Sequence, residues 1–205
     1  MNSKSTINIA SFHHPVTCLG PGNRFVLWVQ GCPFDCKGCT SPYYIPFKEN
    51  KIVEIEKLAE MISSIDGING ITLSGGEPFA QPKELAKLLD LIIHKRPELN
   101  IMCFTGYSFD QLKSPAQKNL LTKIDLVITE LFVEELNSEI GLRGSDNQQF
   151  IYLTDKLKPF KLEIEESKKK TQTFIENGKV TQVGIMSESE DFFFKNIQDI
   201  IASIN

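Results

Sequence analysis

The chain has 205 residues, 41% hydrophobic and 23% charged, enough apolar material for one globular domain with a small appendage. Twenty-two Lys and Arg against 26 Asp and Glu leave a net charge of −4, which argues against partners bound mainly through phosphates, nucleic acid and anionic membranes alike. No apolar run approaches the roughly 20 residues that cross a bilayer, and the polar start Met1 to Thr6 lacks the apolar core of a signal peptide, so a cytoplasmic location is expected.

A short extended segment, Ile7 to Ala10, precedes a turn-rich stretch from Leu19 to Asn23 and the apolar run Phe25 to Val29, long enough for a buried strand. His13 and His14 are expected in a loop. Ile55, Leu58, Ile62 and Ile65 recur at three- and four-residue spacing and predict a helix. Gly70 to Leu73 reads as a strand running into the turn Ser74-Gly75-Gly76-Glu77-Pro78. The alternation repeats: a helix opened by Pro82 and carrying Leu85, Leu88, Leu89, Ile92 and Ile93, then a strand from Ile101 to Phe104. A weaker helix around Gln117 to Leu121 and strands at Leu126 to Thr129 and Gln149 to Tyr152 follow. This rhythm predicts an α/β fold, a parallel sheet with helices on its outer face. Beyond residue 154 the pattern changes. Phe174 to Thr181, with Asn177-Gly178 at its centre, predicts a hairpin, and Phe193, Ile197, Ile200 and Ile204 a final helix. Lys168 to Lys170 reads as a solvated turn among acidic residues.

Chemistry concentrates in Cys32, Cys36 and Cys39, within eight residues of one another directly after the apolar run. In a reducing compartment such a cluster holds a metal or does redox chemistry more often than it forms disulfides. The number three matters. A structural zinc site wants four protein ligands, for which Cys18, His13 or His14 are the available fourths. A 4Fe–4S cluster held by three thiolates keeps one iron for a small molecule. Spacing alone leaves both readings open. Cys18 and Cys103 lie outside the cluster, and buried inert thiols are the expectation for them.

The loop Cys32-x3-Cys36-x2-Cys39 resembles the signature of the radical S-adenosylmethionine (SAM) enzymes, and Ser74 to Pro78 resembles their glycine-glycine-glutamate motif. The resemblance implies a partial (βα) barrel of the radical SAM type, with the C-terminal hairpin and helix as an extension. It implies a 4Fe–4S cluster on Cys32, Cys36 and Cys39 whose fourth iron binds SAM. Gly75 and Gly76 would let the backbone approach the methionyl end, and Glu77 would offer a carboxylate to the ammonium. Gly38 stands where many members have an aromatic residue, so Gly38 and Thr40 are expected to meet the adenine through backbone groups.

A closer resemblance covers roughly residues 17 to 153. Gly20 to Arg24, Gly31 to Cys39, Leu73 to Gly76, Phe104 to Tyr107 and Arg143 to Gln148 are similar to the activating enzymes of anaerobic ribonucleotide reductase. The resemblance adds Thr105, Arg143 and Asn147 as cofactor-binding candidates, and Tyr107 either on the rim or as a packing residue; no catalytic side chain beyond the cluster ligands is assigned. It implies a glycyl radical enzyme as partner and a flavodoxin or ferredoxin as electron donor. Two departures stand out: Glu77 where that family commonly has Asp, and about fifty residues beyond its usual end. The expected division is therefore a core at 1–153 and an extension at 154–205. A small radical SAM enzyme with another substrate, 7-carboxy-7-deazaguanine synthase-like or peptide-modifying, is the alternative within this chemistry. A zinc-binding interaction module is the alternative outside it.

Overall fold

The computed structural model describes residues 4–176 and 179–186. In chain order the elements are β1 (Thr6–Val16), β2 (Arg24–Val29), β3 (Lys51–Glu54), α1 (Ile55–Ser63), β4 (Gly70–Gly75), α2 (Pro82–Lys95) and β5 (Asn100–Phe104). There follow α3 (Pro115–Leu121), β6 (Leu126–Thr129), β7 (Gln149–Tyr152), α4 (Lys161–Glu166), β8 (Thr171–Glu176) and β9 (Lys179–Gly184). Seven strands form one sheet in the order β3-β1-β2-β4-β5-β6-β7, and β8 pairs with β9 alone.

The parallel sheet expected from the alternation exists only at its centre. β2, β4, β5 and β6 run parallel, each joined to the next by a connection containing a helix. β1, β3 and β7 pair antiparallel at the flanks, because no long helical crossover leads into them.

Burial follows the pleat, so each strand feeds two layers. On one face Phe25, Leu27 and Val29 of β2 join Ile71, Leu73, Ile101, Cys103 and Val127 beneath the three longer helices. α1 contributes Ile55, Leu58 and Ile62 and α2 contributes Leu85, Leu88, Leu89 and Ile92; each such side chain stabilises the fold by about 2 kcal/mol. Pro82 opens α2 as expected, and α3 is fixed by a capping box in which Ser114 and Gln117 each accept the other's backbone N–H.

The opposite face carries a thinner cover from later in the chain. Val183 of β9 is buried with Val26 and Trp28, and Phe174 of β8 packs on the same cluster. Leu157 and Ile164 are buried against Met102, Leu126 and Ile128.

β1 is longer than expected and includes His13 and His14, which are therefore strand residues and not loop residues. The register of β1 on β2 slips between Ile9 and Ser11, a bulge that interrupts the alternation just where the sequence pattern fades. The predicted hairpin is present as β8 and β9. Its Asn177-Gly178 turn and the predicted final helix around Phe193 to Ile204 lie outside the described residues.

Candidate metal and cofactor site

The site lies where the parallel strands end. β2 runs to Val29, and the chain then turns at Gly31, whose N–H donates to Tyr44 O at 2.8 Å, while Cys32 N–H donates to Ile45 O at 2.9 Å. The cysteine loop thus returns on itself and is pinned at both ends. β4 ends beside it: Gly76 N–H donates to Val29 O and Glu77 N–H to Gly31 O, each at 2.8 Å.

These contacts explain the two glycines from within the protein. Gly75 has φ +109°, and a Cβ there would stand 2.5 Å from Val29 N. A Cβ at Gly76 would overlap the carbonyl oxygen of Gly31. Any side chain at either position would push the glutamate turn off the cysteine loop.

Glu77 is 1% exposed. Its Oε1 accepts from Phe79 N–H and Thr105 Oγ1–H, and its Oε2 from Gly106 N–H, all at 2.8 Å. Burial raises its pKa to about 7, and the three donors pull it back only in part. Thr105 Oγ1 also accepts from Tyr107 N–H at 3.1 Å, which makes Thr105 the link between the glutamate and the loop after β5. The Phe34 ring meets Tyr107 edge-on at 4.8 Å, tying the cysteine loop to the same place, and Tyr107 packs on the core behind it.

A cavity of about 130 Å³ is lined by Cys32, Cys36 and Cys39 together with Gly75, Gly76, Glu77 and Thr105. A second, of about 300 Å³, shares Cys36, Cys39, Ser74, Phe104, Phe132 and Gln148 with the first and adds Thr40. The cysteines are unpaired and partly exposed. Burial lifts Cys32 to about 11 and raises Cys36 as well, so loading a metal there must release protons. Among the described residues no three His, Cys, Asp or Glu side chains converge on a single ion. A 4Fe–4S cube makes a different demand: each thiolate takes its own iron, so three sulfurs must surround a space, and three cysteines lining one cavity fit that demand.

Cys18 and Cys103 are buried away from the loop, as expected. Cys18 Sγ donates to Val183 O at 3.3 Å, and burial raises the Cys103 thiol well above its ordinary value.

Three expected residues are placed differently. Gly38 lines neither cavity; its Cα faces Glu134, which with Glu135 pairs with Lys37 on the surface. Arg143 and Asn147 also line neither. Arg143 bonds Asp146 at 3.0 Å and lies over the Phe150 ring, and Asn147 Nδ2 donates to Leu131 O at 2.8 Å. From the same block it is Gly144 and Gln148 that reach the larger cavity. Gln148 holds the turn by accepting from Gly144 N–H and donating to Glu130 O. Sequence reasoning also missed Glu130 and Phe132. Glu130 follows β6 with φ +83° and lines the smaller cavity. Its only advance signal was its position at the end of a parallel strand.

Comparison with known proteins agrees with this geometry. The 4Fe–4S single cluster domain family matches residues 18–151. The anaerobic ribonucleoside-triphosphate reductase-activating protein of Enterobacteria phage T4 is 31% identical over 140 residues, covering 66% of this chain and 88% of the phage protein. Proteins of the same name from Vibrio cholerae and Escherichia coli K12 are each 32% identical, covering 66% of this chain and 92% and 93% of their own lengths. QueE from Escherichia coli is a partial structural likeness, with TM-score 0.40 and 18% identity over 49% of this chain and 52% of its own. A cluster domain replaces the zinc alternative, and the chain belongs to the 4Fe–4S single cluster domain family and to the anaerobic ribonucleoside-triphosphate reductase-activating proteins.

Proposed function

We propose that this protein is a radical SAM activase that installs a glycyl radical on an anaerobic ribonucleotide reductase. The observation that carries the reading is that one cavity at the ends of the parallel strands is lined by three free cysteines and the Gly75-Gly76-Glu77 turn, in a chain of the activating-protein family. When bound, the cluster and SAM supply one-electron cleavage of the sulfonium and a 5′-deoxyadenosyl radical that takes hydrogen from a glycine.

The chain's own part is to bind and orient. Cys32, Cys36 and Cys39 would hold the cluster, the loop offering three thiols and no fourth. Glu77 uses three of its roughly four acceptor directions on protein donors. The remaining one serves the SAM ammonium, with Thr105 fixing the carboxylate. Gly75 and Gly76 set the distance between that carboxylate and the cysteine loop. Thr40 and Gln148 border the larger cavity, on the adenosyl side. Arg143 and Asn147 act at one remove, by holding the turn that presents Gly144 and Gln148.

The chain up to residue 153 forms the radical SAM core, a partial (βα) barrel, and the residues after it are an extension, of which 154–176 and 179–186 pack on the core. A flavodoxin or ferredoxin supplies the electron in the cytoplasm, and neither nucleic acid nor membrane is a partner. No helix among the described residues is long and apolar enough to cross a membrane.

Anaerobic reconstitution tests this directly. The loaded protein should carry about four irons per chain and, with dithionite, convert SAM to methionine and 5′-deoxyadenosine. Cys36→Ala should fall to background. One zinc per chain, or full deoxyadenosine formation by that variant, would show the assignment to be wrong.

A further inference from the structure

The larger cavity has two walls of different origin. One belongs to the strands of the core, with Trp28 on β2, Ser74 on β4 and Phe104 on β5. The other is Thr181 to Met186, on and just after β9, beyond the residue 151 at which the family match ends. Strand alternation puts Thr181 on the same face of β9 as Val183, which is buried beside Trp28 and Leu19. Phe174, opposite Thr181 in the hairpin, stacks its ring on His13 at 4.8 Å. Thr181 therefore faces the sheet across the cavity.

This second wall is fastened to the core. Gln172 on β8 accepts from Thr17 N–H at 3.0 Å and donates to Pro15 O at 3.2 Å. Asn137 Nδ2 donates to Met186 O at 3.3 Å, and Lys169 Nζ donates to Asn137 Oδ1 and, at 2.9 Å, to Gly144 O. Asn137 and Gly144 line the same cavity, so Lys169 and Met186 together hold a core loop in place over it.

Among the described residues the cavity has no Lys, Arg, Asp or Glu in its lining. A substrate bearing phosphate or carboxylate would lose its water there with only the His13 imidazole of the described lining to meet it, at a cost of several kcal/mol. A peptide backbone is neutral. It suits aromatic walls interrupted by the hydroxyls of Ser11, Ser41 and Ser74, each able to donate or accept.

We propose that the space between the core strands and β9 is the slot for an extended, uncharged glycine-bearing segment of the partner enzyme, with Thr181 a specificity-determining residue and Lys169 a positioning residue. The extension thus completes the substrate site. This deepens the activase reading and rests on it.

The test uses the full cluster-loaded chain and a short glycine-centred peptide taken from the radical site of a candidate reductase. Calorimetry should show saturable peptide binding, weaker by about tenfold or more in Thr181→Phe, and weaker to a similar degree when aspartates flank the glycine. With the intact reductase, the yield of glycyl radical per 5′-deoxyadenosine formed should fall about tenfold in both Thr181→Phe and Lys169→Met. This ratio separates substrate placement from general loss of activity. A wild-type ratio and wild-type peptide affinity in both variants would overturn the slot. A wild-type protein that cleaves SAM yet leaves no glycyl signal and binds no peptide would instead overturn the activase reading, and the named occupant with it.

Discussion

Glu77 is a carboxylate enclosed by protein and held by two backbone N–H groups and one hydroxyl. Its pKa of about 7 against an ordinary 4.5 means that the folded chain keeps a proton that the unfolded chain has lost. The folded state thus binds more protons across that window, and its contribution to stability is present below pH 4.5 and falls as pH rises towards 7. Glu77→Gln should flatten this slope in denaturant midpoints measured from pH 5 to 7.5. It should also lower stability by about 1–3 kcal/mol, since an amide N–H₂ must face one of the three donors. Glu130 makes the opposite trade. A non-glycine residue at φ +83° carries backbone strain of about 1 kcal/mol or more. Glu130→Gly should therefore raise stability by about 1 kcal/mol while slowing SAM cleavage, because the strained residue lines the smaller cavity. A variant both less stable and fully active would contradict this. The cysteines and the glycine-glutamate turn were legible in sequence because their chemistry depends on spacing along the chain. Glu130, Phe132 and Gln148 were not, because they qualify only by converging in space, and nothing about a glutamate marks it for left-handed backbone.

At the scale of elements, β2 is organised around Arg24, which is fully buried and uses every donor it has. Nε donates to Thr72 Oγ1 at 2.6 Å, Nη1 to Asn100 Oδ1 and Pro21 O, and Nη2 to Ile71 O and Asn100 O. One side chain thereby joins the starts of β2, β4 and β5 at the end of the sheet opposite the cysteines. Arg24→Met keeps the bulk but strands those acceptors, so a loss of about 3 kcal/mol or more is expected in chemical denaturation. A loss below 1 kcal/mol would show that water replaces the guanidinium freely. α1 and α2 were legible because three- and four-residue spacing needs only the helix itself. β3 was missed because it is four residues long with Lys51 and Ile52 exposed, and α4 because six residues give too little period to detect. The direction of β7 was hidden for another reason: strand polarity is set by the connection, and the stretch from 130 to 148 carries only the single 3-10 turn Glu134–Leu136, too short for the helical crossover that a parallel return needs.

At the scale of the molecule, the sheet has helices on one face and the later chain on the other. The residues after 153 that the sequence marked only as additional reach the face opposite the three longer helices through Leu157, Ile164, Phe174 and Val183. Their packing covers a surface that would otherwise be apolar and open, and it bounds the larger cavity, whose described lining holds no Lys, Arg, Asp or Glu. That arrangement suits chemistry in which a reactive radical must meet one backbone position and little else. The central claim is tested most directly by electron paramagnetic resonance. A candidate anaerobic reductase is incubated without oxygen with this protein, SAM and reductant, and the spectrum of the reductase is recorded. A glycyl radical doublet that needs all three additions, and disappears with Cys36→Ala, is the expected result. No doublet from a protein shown to hold its cluster and to cleave SAM would contradict it.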